Sequence, residues 1–131
     1  MSPRPAGTDL LDALERGEVR VAERSDDGTW RVHGWVKEAI LDIFRADPIV
    51  KQSFEKNPHT EGAFVDKRSL ELRSFDLEDG VRLIPGGSAV RRGAYLAPGV
   101  VCVPPMYVNI GAWVVHFFPT RRSSDHRKSV V

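Results

Sequence analysis

The sequence predicts an α+β N-terminal domain followed by the first coils of a parallel β-solenoid. Short amphipathic segments and an Asp-Gly turn occupy the first half of the chain, and aliphatic residues recur at every sixth position further on. These patterns divide the 131 residues into three parts. We expect an N-terminal α/β domain with its connector over residues 1–79, the first coils over 80–115, and a tail over 116–131.

The first predicted element is a short amphipathic helix that ends near Arg16. Thr8 or Asp9 provides a side-chain oxygen for the N-cap. Gly17 is suited to end the helix, because glycine adopts a left-handed backbone at little cost. The apolar face consists of three leucines: Leu10, Leu11 and Leu14.

A hairpin and a second helix follow. Polar and apolar residues alternate near residues 19–21 and 30–32, on either side of an Asp-Gly turn at Asp27-Gly28. The second helix is predicted for residues 36–46, where apolar side chains follow a helical period. Asp47-Pro48 ends it, since a residue before proline avoids the helical conformation.

The connector over residues 48–79 gives weaker signals. Asn57-Pro58 marks a turn, residues 64–72 are compatible with an extended segment, and residues 75–79 with a turn or short helix. Asp66-Lys67 is predicted to be a surface charge pair that contributes little to stability.

A six-residue repeat begins where the charged residues thin out, and it carries the solenoid prediction. A period of six fits a triangular solenoid, in which each side is one short strand and each corner is a Gly- or Pro-containing turn. Its competitor is a pair of ordinary strands joined by a Gly/Pro-rich loop. The first position of each repeat is predicted to point inward: Val90, Leu96, Cys102, Val108 and Val114. So is the small or apolar residue four places later: Ala94, Val100, Met106 and Ala112.

Composition excludes several functional classes. The net charge of +1 gives no reason to expect a nucleic-acid partner, and no apolar run approaches the roughly 18 residues of a membrane span. The single cysteine excludes an intramolecular disulfide framework and a cysteine-based zinc site. A reducing, cytoplasmic location is therefore expected.

Three strings of residues resemble a known family. They are Gly80-Val-Arg-Leu-Ile-Pro, Ala89-Val-Arg-Arg-Gly-Ala-Tyr-Leu-Ala, and Val103-Pro-Pro-Met-Tyr-Val-Asn-Ile-Gly-Ala. They resemble the start of the β-helix of the tetrahydrodipicolinate N-succinyltransferases. The segments around Trp30 and His33-Gly-Trp-Val-Lys-Glu-Ala-Ile look like the N-terminal domain of the same family.

This resemblance implies a left-handed parallel β-helix and a homotrimer with active sites between subunits. It implies transfer of succinyl from succinyl-CoA, the co-substrate, to the amine of tetrahydrodipicolinate in lysine (diaminopimelate) biosynthesis. No bound cofactor is expected. The amine would attack the thioester directly, assisted by a general base and by backbone amides that stabilise the oxyanion.

One substrate-binding residue is predicted, and two more arginines leave alternatives open. Arg82 matches the family's arginine just before the β-helix, which holds the dicarboxylate acceptor. Without the resemblance, Arg82 would be read as a solvated corner residue. Arg91 and Arg92 form a basic pair, either near the phosphates of coenzyme A or, as the favoured interpretation, on a solvated corner.

The remaining candidate residues are given structural roles. Cys102 is predicted to be a buried structural thiol, and Asn109 to satisfy a turn by side-chain-to-backbone hydrogen bonding. His33 and His59 lack carboxylate or cysteine neighbours at metal-ligand spacing, so no metal site is assigned.

The match to the family ends near Val115. The following string, with Pro-Thr-Arg-Arg-Ser-Ser-Asp at its centre, resembles one reading frame of a sequencing adapter, so residues 116–131 are expected to be non-native. Catalytic residues would then lie beyond the truncation, and the solenoid would be truncated and the fragment inactive. Two alternatives stay open: another hexapeptide acyltransferase, or a non-catalytic module that binds a partner.

Overall fold

The computed structural model describes residues 3–52 and 64–115, so the turn predicted at Asn57-Pro58 and the tail over 116–131 lie outside the described residues. Two α-helices, ten short strands and one 3-10 helix make up the described part of the chain. In order they are α1 (Gly7–Glu15), β1 (Ala22–Arg24), β2 (Trp30–Val32), α2 (Gly34–Ala46), β3 (Ile49–Gln52), β4 (Phe64–Lys67), the 3-10 helix (Leu77–Asp79), β5 (Arg82–Leu83), β6 (Ser88–Val90), β7 (Tyr95–Leu96), β8 (Val101–Cys102), β9 (Met106–Val108) and β10 (Trp113–Val114).

Both predicted helices are present, with small differences at their ends. α1 begins at Gly7, and its N-cap, Ala6, makes no side-chain hydrogen bond, so neither Thr8 nor Asp9 caps the helix as predicted. Gly17 ends the first turn after α1 with a φ of 78°, as expected. α2 stops before Asp47, whose backbone is extended.

The predicted hairpin is confirmed, but its first strand lies later than expected. β1 and β2 pair antiparallel from Ala22↔Val32 to Arg24↔Trp30. Val19 and Val21, predicted to lie on the first strand, instead pack on the apolar cluster formed by the two helices. Burial of these side chains overrides the local alternation, which alone cannot locate where a strand begins.

The connector contributes a second hairpin. β3 and β4 pair antiparallel from Ile49↔Lys67 to Gln52↔Phe64. The sequence indicated an extended segment near β4 but gave no strand for β3. Downstream, the predicted short helix is a single 3-10 turn at Leu77–Asp79, closed by Gly80 with a φ of 70°.

The C-terminal half of the described chain consists of parallel strand pairs. β6 pairs with β9 and β7 with β10, each partner lying 18 residues further along, as in Ser88↔Met106 and Tyr95↔Trp113. β5 pairs with β8 at a spacing of 19 residues, as in Arg82↔Val101. The described residues therefore form a small α+β structure in which one set of three short strands lies over the next.

The additional residue in the first pair lies in a corner. Four residues, 84–87, join β5 to β6, whereas three, 103–105, join the overlying β8 and β9. The longer corner contains Gly86 and Gly87, with φ angles of 104° and 121° that side-chain-bearing residues rarely adopt. This left-handed corner absorbs the extra residue and leaves β6 in register with β9.

Two apolar clusters stabilise the described chain. The first joins the two helices and contains the buried residues Leu10, Leu11, Leu14, Val36, Ile43 and Leu70, with Ile110 packed against it. The second fills the interior of the parallel strands, and all nine predicted inward residues belong to it or pack on it. The prediction that these side chains share one interior is confirmed.

Candidate functional site

The backbone of Arg82 is fixed by a hydrogen bond within the parallel strands, and its side chain is exposed. Its amide donates to the carbonyl oxygen of Val100 at 3.0 Å, within the parallel pair of β5 and β8. Its neighbours Val81 and Leu83 pack on the buried cluster of the parallel strands, while the Arg82 side chain is exposed. Within residues 3–52 and 64–115, no carboxylate lies within ion-pair distance of its guanidinium group. Such a group is able to grip a carboxylate through paired hydrogen bonds.

A glycine fixes the chain just before Arg82. Gly80 accepts a hydrogen bond from the amide of Gly99 at 2.8 Å. A Cβ atom at Gly80 would lie 3.2 Å from the Cβ of Pro98, and its φ of 70° is left-handed. The close approach ties the start of β5 to the following corner, so Arg82 projects from a backbone anchored on both sides.

Arg91 is mostly buried and ion-paired, so the prediction that it lies on a solvated corner is wrong. Its Nη2 donates to both carboxylate oxygens of Asp66, at 2.7 and 2.8 Å. Its Nη1 donates to Oδ1 of Asn109 at 3.0 Å, and its guanidinium lies over the ring of Phe44. Only 12% of its side chain is exposed. Asp66 therefore pairs with Arg91 and is not half of a surface pair with Lys67.

Arg92 is also engaged by α1. Its Nε donates to Glu15 Oε2 at 2.9 Å, and its Nη2 bonds to Asp12. Burial lowers the pKa of Arg92, but its hydrogen bonds and charge interactions with Glu15 and Asp12 outweigh this effect and raise it. The guanidinium that the sequence placed on a solvated corner, or near coenzyme A phosphates, is a structural cation.

Sequence reasoning missed the acidic partners of Arg92. Glu15 also accepts the Gly93 amide at 2.8 Å and lies 3.9 Å from Nε of Arg73. The contacts of Glu15 with Arg92 and Gly93 join residues 77 and 78 positions apart, and no local pattern signals them.

Three further predicted roles have outcomes in the structure. Cys102 is 6% exposed, and burial raises the pKa of its thiol, as expected for a structural cysteine. Asn109 Oδ1 accepts the Ile110 amide at 2.9 Å, which confirms its turn role. His33 lies 3.2 Å from Glu23, a carboxylate neighbour that the linear spacing did not reveal. His59 lies outside the described residues.

Two classes of feature are absent from the described residues. Between residues 3 and 52, and between 64 and 115, no group of three or more His, Cys, Asp or Glu side chains is arranged to hold a metal ion. No helix in these same ranges is long and apolar enough to cross a membrane.

Comparison with known proteins shows similarity to one class of enzyme. Residues 4–46 match the family described as tetrahydrodipicolinate N-succinyltransferase N-terminal. Proteins named 2,3,4,5-tetrahydropyridine-2,6-dicarboxylate N-succinyltransferase are similar over more of the chain. Those of Chelativorans sp. and Nitrobacter hamburgensis are 38% identical, and that of Paramagnetospirillum magneticum is 40% identical, each over 115 residues. The matches cover 85% of this chain and 39% of each relative.

The relatives are thus acyltransferases by name. The chain is related to the N-terminal region of the tetrahydrodipicolinate N-succinyltransferases, which confirms the predicted resemblance. The chain spans 39% of the length of these relatives.

Proposed function

We propose that this chain is the acceptor-binding N-terminal portion of a tetrahydrodipicolinate N-succinyltransferase of lysine biosynthesis. The similarity to three enzymes of that name, over 85% of the chain, carries the proposal. In this reaction the acceptor amine attacks the thioester carbonyl of succinyl-CoA. A C–N bond forms, the C–S bond breaks, the amine proton passes to a general base, and coenzyme A leaves as the thiol.

Arg82 is the residue we assign to the acceptor. The acceptor is a dicarboxylate, and a planar guanidinium offers parallel N–H donors that match a carboxylate better than a lysine ammonium does. The Arg82 side chain is exposed and has no carboxylate partner within residues 3–52 and 64–115, so its donors are free for the acceptor, and the anchored strand fixes the point from which it projects. We assign no catalytic base to these residues.

The finer features of the proposal follow the family. The pairing of successive strands at 18 residues supports a left-handed β-helix, in which three six-residue sides complete one coil. A homotrimer, a cytoplasmic location and succinyl-CoA as co-substrate without a resident cofactor belong to the same proposal. The division into a domain over 1–79 and coils over 80–115 also belongs to it.

A chimera provides the test for Arg82. Residues 4–115 would replace the matching segment of the Paramagnetospirillum magneticum relative, and coenzyme A release would be measured with each substrate varied. We expect Arg82→Lys to raise the KM for the acceptor by about tenfold, because the paired hydrogen bonds are lost, and to leave the KM for succinyl-CoA unchanged.

The matched control is Arg68→Lys, another exposed arginine, which should leave both KM values unchanged. An inactive chimera with intact Arg82, despite a folded and trimeric state, would contradict the proposed activity. An active chimera in which Arg82→Lys behaves like the control would retain the activity and remove Arg82 from the site. The 131 residues alone are expected to release no coenzyme A.

A further inference from the structure

A small cavity lies where the segment after α1 meets the first hairpin and the start of α2. Its volume is about 240 Å³, and its walls include Glu18, Arg20, Glu23, His33 and Trp35. Arg82 is not among its lining residues. The cavity is therefore distinct from the acceptor-binding residue proposed above.

The carboxylates that line the cavity already have cationic or hydrogen-bonding partners. Glu18 accepts two hydrogen bonds from Arg16, at 2.8 and 3.1 Å. Glu23 lies 3.2 Å from Nε2 of His33. Arg20 has no such counterpart: within the described ranges, no carboxylate lies within 4.0 Å of its guanidinium. Among the charged side chains that line the cavity, Arg20 is therefore the one without an ion-pair or hydrogen-bond partner in the described ranges.

Stacking fixes the orientation of this guanidinium. It lies over the ring of Trp113, 3.9 Å from the ring centroid, and Trp113 stacks on Tyr95 at 4.0 Å. Gly17 packs against both rings, since a Cβ atom there would lie 2.8 Å from the Tyr95 ring and 3.3 Å from the Trp113 ring. Because Trp113 covers one face of the guanidinium, Arg20 forms hydrogen bonds through its N–H groups, which lie in the plane of the guanidinium.

One of those N–H groups lacks a partner. The Nε of Arg20 is buried, and no described group accepts its hydrogen bond. A buried donor without an acceptor is costly, so such groups call for a ligand or a functional explanation. Nε–H and one Nη–H together form the side-on pair of donors that binds two oxygens of one planar or tetrahedral oxyanion.

We propose that this cavity binds a small oxyanion, the carboxylate or phosphate group of a ligand, through Arg20. The anion would accept hydrogen bonds from Nε–H and Nη–H of the stacked guanidinium, with Trp35 forming another part of the wall. Because Trp113 belongs to β10 and Arg20 to the segment between α1 and β1, a bound anion strengthens the junction between the helical domain and the parallel strands.

The three tryptophans of the chain supply the readout. Sodium succinate and sodium phosphate would be titrated separately into the ¹⁵N-labelled chain at constant ionic strength, with sodium chloride as the reference titration. We expect saturable shifts of the indole N–H signals of Trp35 and Trp113. The signal of Trp30, whose exposed side chain does not line the cavity, should stay in place. If only succinate shifts the signals, the site binds carboxylates. If only phosphate shifts them, the site binds phosphate groups.

Variants separate the site from a general salt effect. Arg20→Gln should weaken binding by about tenfold or more, because charge-assisted hydrogen bonds are lost, and Arg20→Lys should weaken it less. Arg31→Gln, at an exposed arginine on β2, should bind as the unaltered chain does. If Arg20→Gln does not fold, Arg20→Lys and the pattern of indole shifts decide. Linear shifts equal to those with chloride, or unchanged affinity in Arg20→Lys and Arg20→Gln, would overturn the proposal. None of these outcomes depends on acyl transfer.

Discussion

The carboxylate of Asp66 on β4 accepts two hydrogen bonds from a single nitrogen of Arg91, just after β6. This pair joins the second hairpin to the parallel strands. We expect Asp66→Asn to lower the free energy of unfolding by about 1–3 kcal/mol, because it leaves a mostly buried guanidinium without its counter-ion. Urea denaturation would measure the change.

Asp42→Asn is the matched control for this prediction. Asp42 also pairs with an arginine, Arg45, at 2.7 Å, but the Asp42 side chain is 73% exposed. Its removal should change the free energy of unfolding by less than about 1 kcal/mol. Equal effects of the two substitutions would show that burial does not strengthen the Asp66–Arg91 pair.

Gly93 lies where the parallel strands approach α1. Its φ is 88°, and a Cβ atom would lie 2.7 Å from Cγ1 of Ile110 and 3.0 Å from Cδ2 of Leu11. Gly93→Ala should destabilise the chain by about 1–3 kcal/mol through backbone strain and overpacking. Gly34→Ala, at an open position in α2, should be neutral or stabilising, and thermal unfolding of both variants would check the contrast.

The stability of the chain is predicted to depend on pH through Asp47. Its carboxylate accepts the Ser69 amide at 2.7 Å and the Ser69 hydroxyl, and these hydrogen bonds lower the pKa of Asp47 below its usual value of 3.8. The folded chain therefore binds a proton less readily than the unfolded chain. The resulting stability is fully present above the unfolded pKa and is lost as the pH falls through the folded pKa.

Urea midpoints measured from pH 7 down to pH 3 would test this dependence. Asp47→Asn and Ser69→Ala should each lower the midpoint at neutral pH and flatten its decline in acid. A decline as steep as that of the unaltered chain in both variants would assign the acid sensitivity to other carboxylates.

Cys102 should be slow to react while the chain is folded. Its thiol is buried, and the raised pKa reduces the fraction of thiolate, the reactive form. We expect a thiol reagent at pH 8 to label Cys102 at a rate that follows the unfolded population, accelerating with urea. Labelling at the rate of a free cysteine in the absence of urea would contradict its assignment to the interior.

Periodic features of the sequence predicted the interior of the parallel strands well. Val90, Leu96 and Cys102 are buried because each six-residue step returns the chain to the same orientation. The repeat was not visible before Val90, since Leu83 stands seven positions earlier and the additional residue of the corner over 84–87 disrupts the period. The six-residue period therefore indicates the parallel strands only from β6 onward.

Long-range polar contacts were beyond sequence reasoning. Arg91 and Arg92 look like a solvated basic pair until the fold places Asp66 and Glu15 beside them. Only the family resemblance predicts a role for Arg82, and no sequence pattern indicates one for Arg20. The environment of Arg20 depends on Trp113, which is more than ninety residues away in the chain and is brought close by the strand pairing.

The corner with Gly86 and Gly87 also marks where this architecture accommodates added length. One surplus residue there leaves the next strand pair in phase, whereas one surplus residue inside a strand would reverse which side chains face inward. A short epitope or a labelling peptide inserted between these glycines would therefore extend outward as a loop. The corner offers a natural position for grafting, and the interior of the parallel strands would be unaltered by it.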